Sequence, residues 1–273
     1  MTMHLLLIFA LLAYVIAAYL YTKESLTTYS GAVLKAQLVL IIGLCLHFSF
    51  LLFRFLVYGR ANLLGFPTML CAVSLLLGLS FLIFQGRYRL TGLGIFVMPL
   101  TAFLMGFSAL TYHLTRETSS FYISLDATLA FHLVCSALSL VAFCLAFVVS
   151  VARVFQGVLI REKKFSVMQR KLPALKALDA INQRLLGIGF VLMFLGVVAG
   201  VAFAFSKGID FTVFDQRIVW SMVTLIVYGF ILLARRVVGW RGRKAAWGAI
   251  AGFVVILASF VSFGVSGAGF HVF

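Results

Sequence analysis

Eight apolar stretches, near residues 4–21, 33–57, 63–84, 90–110, 124–152, 183–205, 218–234 and 245–267, constrain this chain more than any other feature. Each is long enough to cross a bilayer core of about 30 Å. Lipid offers no partners for backbone N–H and C=O groups, so each stretch is expected to be a helix that satisfies its own backbone. With 64% hydrophobic and 11% charged residues, the chain lies far from soluble domains, where about a quarter of residues are charged. The predicted fold class is all-α, a polytopic membrane bundle of about eight transmembrane helices. The first stretch lacks a basic n-region and a following small-x-small cleavage site, so it reads as a retained helix.

A formal net charge of +15 raises the question of nucleic acid, but its distribution answers otherwise. Between Arg153 and Arg184 stand eight Lys/Arg against Glu162 and Asp179, and the Arg235–Lys244 turn adds five with no acid. Counting alternate loops, one side of the membrane carries seventeen Lys/Arg and the other five, namely Arg54, Arg60, Arg116, Lys207 and Arg217. The positive-inside rule makes the rich side cytoplasmic and places both termini on the extracytoplasmic side of a plasma (inner) membrane. Topology and attraction to anionic lipid account for the charge, and a nucleic-acid partner is not expected. Cys45, Cys71, Cys135 and Cys144 all fall in apolar spans without a C-x-x-C or C-x-x-C-H pattern. Thiol redox work and covalent haem attachment are therefore disfavoured.

Residues 1–273 read as one membrane domain. The longest connection, 153–184, is a basic cytoplasmic loop in which Phe165, Met168, Leu172, Leu175 and Leu178 recur at three- and four-residue steps. That spacing suits an amphipathic helix on the inner surface, bent or restarted at Pro173; a solvated linker is the alternative. Gly189, Gly196 and Gly200 share one face of span six, and Gly248 with Gly252 gives a small face in span eight. Pro67 and Pro99 fall inside spans three and four, where a kink is tolerated.

Five histidines form the only plausible metal-ligand set. His132 lies in span five near the outer surface, with Thr128, Ser136 and Ser139 on its helical face, so this stripe is expected to face the bundle interior. His271 follows span eight on the same side. Two histidines on one leaflet suit the axial ligands of a haem iron; a hydrogen-bonded structural role is the commoner fate of an interfacial histidine, and both readings stand. The extracytoplasmic loop 206–217, from Lys207-Gly208-Ile209-Asp210 to Phe214-Asp215-Gln216-Arg217, lies on that side too. Its Phe211 and Phe214 offer an apolar platform, and Lys207, Arg217, Arg54, Arg60 and Arg116 are the cations for propionates. An ordinary aromatic belt is the alternative. His47 sits near the middle of span two, with Arg54 two turns outward. At that depth it is a functional candidate: a proton or quinone contact, a second haem ligand, or an interhelical hydrogen bond. His113 reads as a surface histidine and His4 as interfacial.

The last hundred residues resemble the cytochrome c assembly proteins of the CcsA/HemX type. The resemblance rests on Leu172-Pro173-Ala174-Leu175 with Leu178-Asp179, on Gly187-Ile188-Gly189-Phe190 through Gly196 and Gly200, and on Asp215-Gln216-Arg217 with Trp220, Thr224 and Tyr228. Gly239-Trp240-Arg241-Gly242-Arg243-Lys244 and Gly252-Phe253 complete it, and looser likeness reaches back to His132-Leu133-Val134, Ser139, Pro99 and His47. The resemblance implies an external haem held by two histidines flanking a tryptophan-rich loop; by position these are His132 and His271. This chain departs from the pattern. It has Phe203, Phe211 and Phe214 where the family has tryptophans, only Asp215 and Arg217 of the acidic-basic string, and Leu233 and Arg235 where haem-transferring members carry an intramembrane histidine. Those departures resemble the smaller HemX-like branch.

The function this implies is a haem-handling accessory protein of cytochrome c assembly. It would bind b-type haem noncovalently at the outer face through His132 and His271, with Phe211, Phe214, Asp215, Arg217 and Trp220 around it. No catalytic residue set is present in the sequence, so no enzyme is expected. The alternative is a haem-free membrane adaptor that binds a membrane or cytoplasmic protein partner through the basic loop. A small-solute transporter has little support, since the spans lack acidic residues apart from Asp126.

Overall fold

A computed structural model describes residues 2–26, 32–59, 65–88, 90–114, 126–163, 171–208 and 216–265. Among them the regular structure is helical throughout. The helices are α1 (Thr2–Leu26), α2 (Ala32–Tyr58), α3 (Phe66–Tyr88), α4 (Gly94–Leu114, entered through a 3-10 turn at Thr91–Leu93), α5 (Ala127–Arg161), α6 (Leu175–Ser206), α7 (Gln216–Val237) and α8 (Arg243–Val265). All eight are long and apolar enough to cross a membrane. Pro99 lies inside α4. Pro67, expected inside a span, instead occupies the first turn of α3, where its missing N–H deprives no helical carbonyl of a bond.

α5 is the central element. It packs along α6 and against α3, α4 and α8, while α1 packs on α2 and α4. The α5–α6 seam explains its own formation. His132, Ser136, Ser139, Phe143, Ala146, Ser150 and Arg153 recur at steps of four and three, the period that keeps one face of a helix on an antiparallel neighbour. α6 answers with small or short residues. A Cβ on Gly189 would fall 2.7 Å from the Phe143 ring, and one on Gly196 would fall 3.0 Å from Ser136 Oγ. The small residues let the backbones close and the larger α5 side chains fill the gap. Phe143 then stacks on Tyr228 of α7 with ring centroids 3.8 Å apart, and Gly252 of α8 admits Tyr228 from the other side.

The seam continues to Arg153 and Asp179 at the basic end. α5 has 35 residues and α6 has 32, whereas about 20 suffice for the apolar core. The excess of about 12–15 residues corresponds to roughly 18–22 Å of helix at 1.5 Å per residue. Residues 153–161 and 175–184 belong to α5 and α6, and residues 164–170 of that stretch lie outside the described set. Leu172 and Leu178 are buried in the core of the bundle. Pro173 does mark the restart, since α6 begins at Leu175. Phe165 and Met168 lie outside the described residues.

At this basic end polar groups tie the bundle together. Lys171 donates to Glu24 Oε1 at 2.6 Å and to the Glu24 carbonyl, joining chain positions 147 apart. Arg153 Nε donates to Asp179 Oδ1 at 3.0 Å, Arg235 donates to Asn182 Oδ1 at 2.5 Å, and Asn182 donates to Ser150 Oγ at 2.7 Å. Gly242, at φ +61°, closes the α7–α8 turn so tightly that a Cβ there would lie 2.8 Å from the Arg153 guanidinium.

Candidate functional site

His132 lies on the first turns of α5, at the end of the molecule opposite the basic belt. Its ring is half-buried in the groove left by Gly196 and Gly200 of α6. Nδ1 is 2.7 Å from the Gly196 carbonyl oxygen. A carbonyl only accepts, so Nδ1 carries the hydrogen, and in the neutral ring Nε2 presents its lone pair. Among the described residues Nε2 has no hydrogen-bond partner. Gly200 is required here, because a Cβ would stand 2.8 Å from Nδ1. A histidine whose far nitrogen is fixed by a backbone carbonyl is oriented as metal-ligating imidazoles are. Ser136 and Ser139 continue the stripe inward, Ser139 buried. Thr128, expected on the same interior stripe, is exposed; the seam begins at His132, one turn later.

Beside it, Asp126 and Lys207 close the ends of α5 and α6 with a 2.7 Å ion pair, and the Lys207 ammonium lies 5.7 Å from the Phe203 ring centroid. Lys207 is thus a strut between helices, not the open cation expected for an anionic ligand. Phe203 is buried in the bundle. Trp220, on the second turn of α7, is half-buried against the core, and its carbonyl accepts from Thr224 Oγ1 at 2.8 Å. Arg217 belongs to the first turn of α7, its side chain outside the described set. Phe211, Phe214, Asp215, His271, Arg60 and Arg116 also lie outside the described residues, as do the side chains of His4 and His113. No group of three or more His, Cys, Asp or Glu able to hold a metal occurs among the described residues. Among the described residues, His132 is the histidine placed at this end of α5.

His47 occupies a separate place. It is fully buried, with Nδ1 3.0 Å from Tyr14 Oη and Nε2 2.9 Å from Cys71 Sγ. Both ring nitrogens are engaged and the imidazole links α1, α2 and α3. This geometry is that of an interhelical hydrogen-bonding residue. Gly43, one turn earlier, permits the approach, since a Cβ there would meet Tyr14 at 3.3 Å. Arg54, two turns toward the far end, is buried with its guanidinium 4.4 Å from the Tyr112 ring centroid. Tyr14 and Cys71 escape a sequence reading because neither residue type is unusual in an apolar span. The Asp179–Asn182–Arg235 network escapes it for another reason: a charged residue at a span end looks like part of the basic belt until its partner is seen.

A family model described as "Cytochrome C assembly protein" matches residues 60–271. Among curated relatives, the cytochrome c biogenesis protein CcsA of Crocosphaera subtropica is 30% identical over 118 residues, 43% of this chain and 35% of that protein. The CcsA proteins of Gloeothece citriformis and Microcystis aeruginosa are each 33% identical, over 106 and 102 residues, covering 32% and 31% of their lengths. The match thus spans about a third of the relatives. Tyr14, His47 and Arg54 precede the stretch that the family model matches, whereas His132, Trp220 and His271 fall within it. The match covers α3 to α8, including the whole α5–α6 seam. This multi-pass membrane chain belongs to the cytochrome c assembly protein family.

Proposed function

We propose that the chain is a haem-handling accessory protein of cytochrome c assembly, set in a bacterial inner membrane with both termini outside and closest to the smaller HemX-like branch. In this reading it holds a b-type haem noncovalently at the outer face, with His132 and His271 as axial ligands. Phe211, Phe214, Asp215, Arg217 and Trp220 surround the macrocycle. The single observation that carries the reading is the His132 ring. Its Nδ1–H is spent on Gly196, its orientation is enforced by Gly200, and Nε2 remains available. Haem, when bound, supplies the iron chemistry, while the protein fixes ligation and surroundings. No catalytic side-chain set is assigned, so the chain acts as a carrier or holder, not an enzyme.

The test is an absorption spectrum of the purified protein, with and without dithionite. A Soret shift and sharp α band on reduction, lost in His132→Ala and His271→Ala and restored to His132→Ala by added imidazole, would support the reading. A colourless protein that takes up no added haem would overturn it. A second reading, a haem-free adaptor for a membrane or cytoplasmic partner, draws support from the basic α5 and α6 ends, which outrun the membrane core. It predicts the colourless outcome together with a partner lost when that projection is truncated.

A further inference from the structure

The groove on the outside of α6 is separate from the His132 site and unexplained by it. Ala180, Gln183, Arg184, Gly187 and Ile188 line an open recess of about 570 Å³. The recess is open at Gly187, since nothing lies within 4 Å of where its Cβ would be. Arg184 and Gln183 are both exposed, and neither makes a hydrogen bond or ion pair among the described residues. The neighbouring arginines at this level behave differently, since Arg153 and Arg235 are turned inward onto Asp179 and Asn182.

Depth identifies what fits. With the Asp126–Lys207 ion pair taken as the far surface, counting back about 20 residues from Ser206, the length that crosses a bilayer core, reaches Gly187. The recess therefore sits at the core boundary, and Arg184 lies about one turn beyond it, in the headgroup layer. On the core side of Arg184 the same stripe of α6 is apolar and exposed: Ile188, Val191, Leu195 and Val198. Lys176 is exposed two turns beyond Arg184 on the aqueous side. Cation, amide donor, notch and apolar stripe follow one another as the parts of a phospholipid do.

We infer that this face of α6 holds one anionic phospholipid of the basic-side leaflet, its phosphate on Arg184 and Gln183 and an acyl chain along Ile188, Val191 and Val198. A guanidinium presents paired N–H groups to phosphate oxygens, and the site does not depend on haem. The experiment is native mass spectrometry of the full chain from detergent, titrated with phosphatidylglycerol or phosphatidylcholine. One phosphatidylglycerol should be retained in preference to phosphatidylcholine. Retention should fall roughly fivefold in Arg184→Ala, the loss of one surface cation, and comparably in Gly187→Leu, which fills the notch. Arg236→Ala, exposed on α7, should leave it unchanged. Thermal unfolding of each variant separates lost binding from lost fold, and Arg184→Lys should retain an intermediate amount. Equal retention of both lipids, equal retention in Arg184→Ala, or a stoichiometric protein helix occupying the recess in place of lipid would overturn the assignment.

Discussion

At the scale of the residue, His132 and His47 show how different two histidines in apolar spans can be. Among the described residues His132 has one nitrogen without a partner, because a backbone carbonyl takes only its Nδ1–H; His47 has both nitrogens committed to side chains. The sequence placed His132 on an interior stripe from its Ser neighbours. It left three roles open for His47, because the partners that distinguish them, Tyr14 and Cys71, come from other helices. Two consequences are measurable. Gly200→Ala puts a methyl 2.8 Å from His132 Nδ1, so the ring must turn away from Gly196. The expected cost is about 1–3 kcal/mol of overpacking, read by thermal unfolding in detergent, with loss of any haem band. Gly106→Ala is the control, because open space surrounds its Cβ; it should be neutral. Tyr14→Phe removes the partner of His47 Nδ1. It should destabilise by roughly 0.6–1.7 kcal/mol, the range of hydrogen bonds inside membranes, while leaving the haem spectrum unchanged. Loss of the spectrum in Tyr14→Phe would tie His47 to the cofactor.

At the scale of the element, the α5–α6 hairpin carries both the site and the connection to the basic end. Its small face was visible in the sequence as Gly189, Gly196 and Gly200 on one side of span six. What the linear pattern concealed was length. The helices run beyond the apolar stretches to where Leu178 is buried and Asn182 and Asp179 find Ser150, Arg153 and Arg235. A hydropathy reading stops where the charges begin, whereas here Arg153 pairs with Asp179 and Arg235 donates to Asn182. Arg235→Ala should therefore cost more than a surface arginine. It leaves the buried Asn182 Oδ1 without its donor, worth about 1–3 kcal/mol, whereas the exposed Arg236→Ala should change unfolding by no more than about 0.5 kcal/mol. Equal melting of the two variants would mean that the network contributes nothing beyond its geometry.

At the scale of the whole molecule, the bundle has two chemically distinct ends. One carries the Arg153–Asp179, Arg235–Asn182 and Lys171–Glu24 contacts and most of the Lys/Arg. The other carries the half-buried His132 and the Asp126–Lys207 strut. The number and kind of helices followed from hydropathy alone, because length and apolarity are local properties. Orientation is a property of the charge sum, and it decides what the His132 end can meet. If the seventeen-to-five division of Lys/Arg acts through the positive-inside rule, alkaline phosphatase fused after Phe273 should be active in intact cells. The same reporter inserted between Arg161 and Lys171, or in the Gly239–Gly242 turn, should be inactive, while a fluorescent protein that matures only in the cytoplasm should light up at those two positions. An active phosphatase at the basic turn would invert the bundle. His132 would then face the cytoplasm, where an outer-face haem reading has no place, and the adaptor reading would have to be rebuilt with its basic projection outside. Because the reporter measures sidedness without reference to haem or lipid, its outcome separates the topology from every chemical role assigned to it.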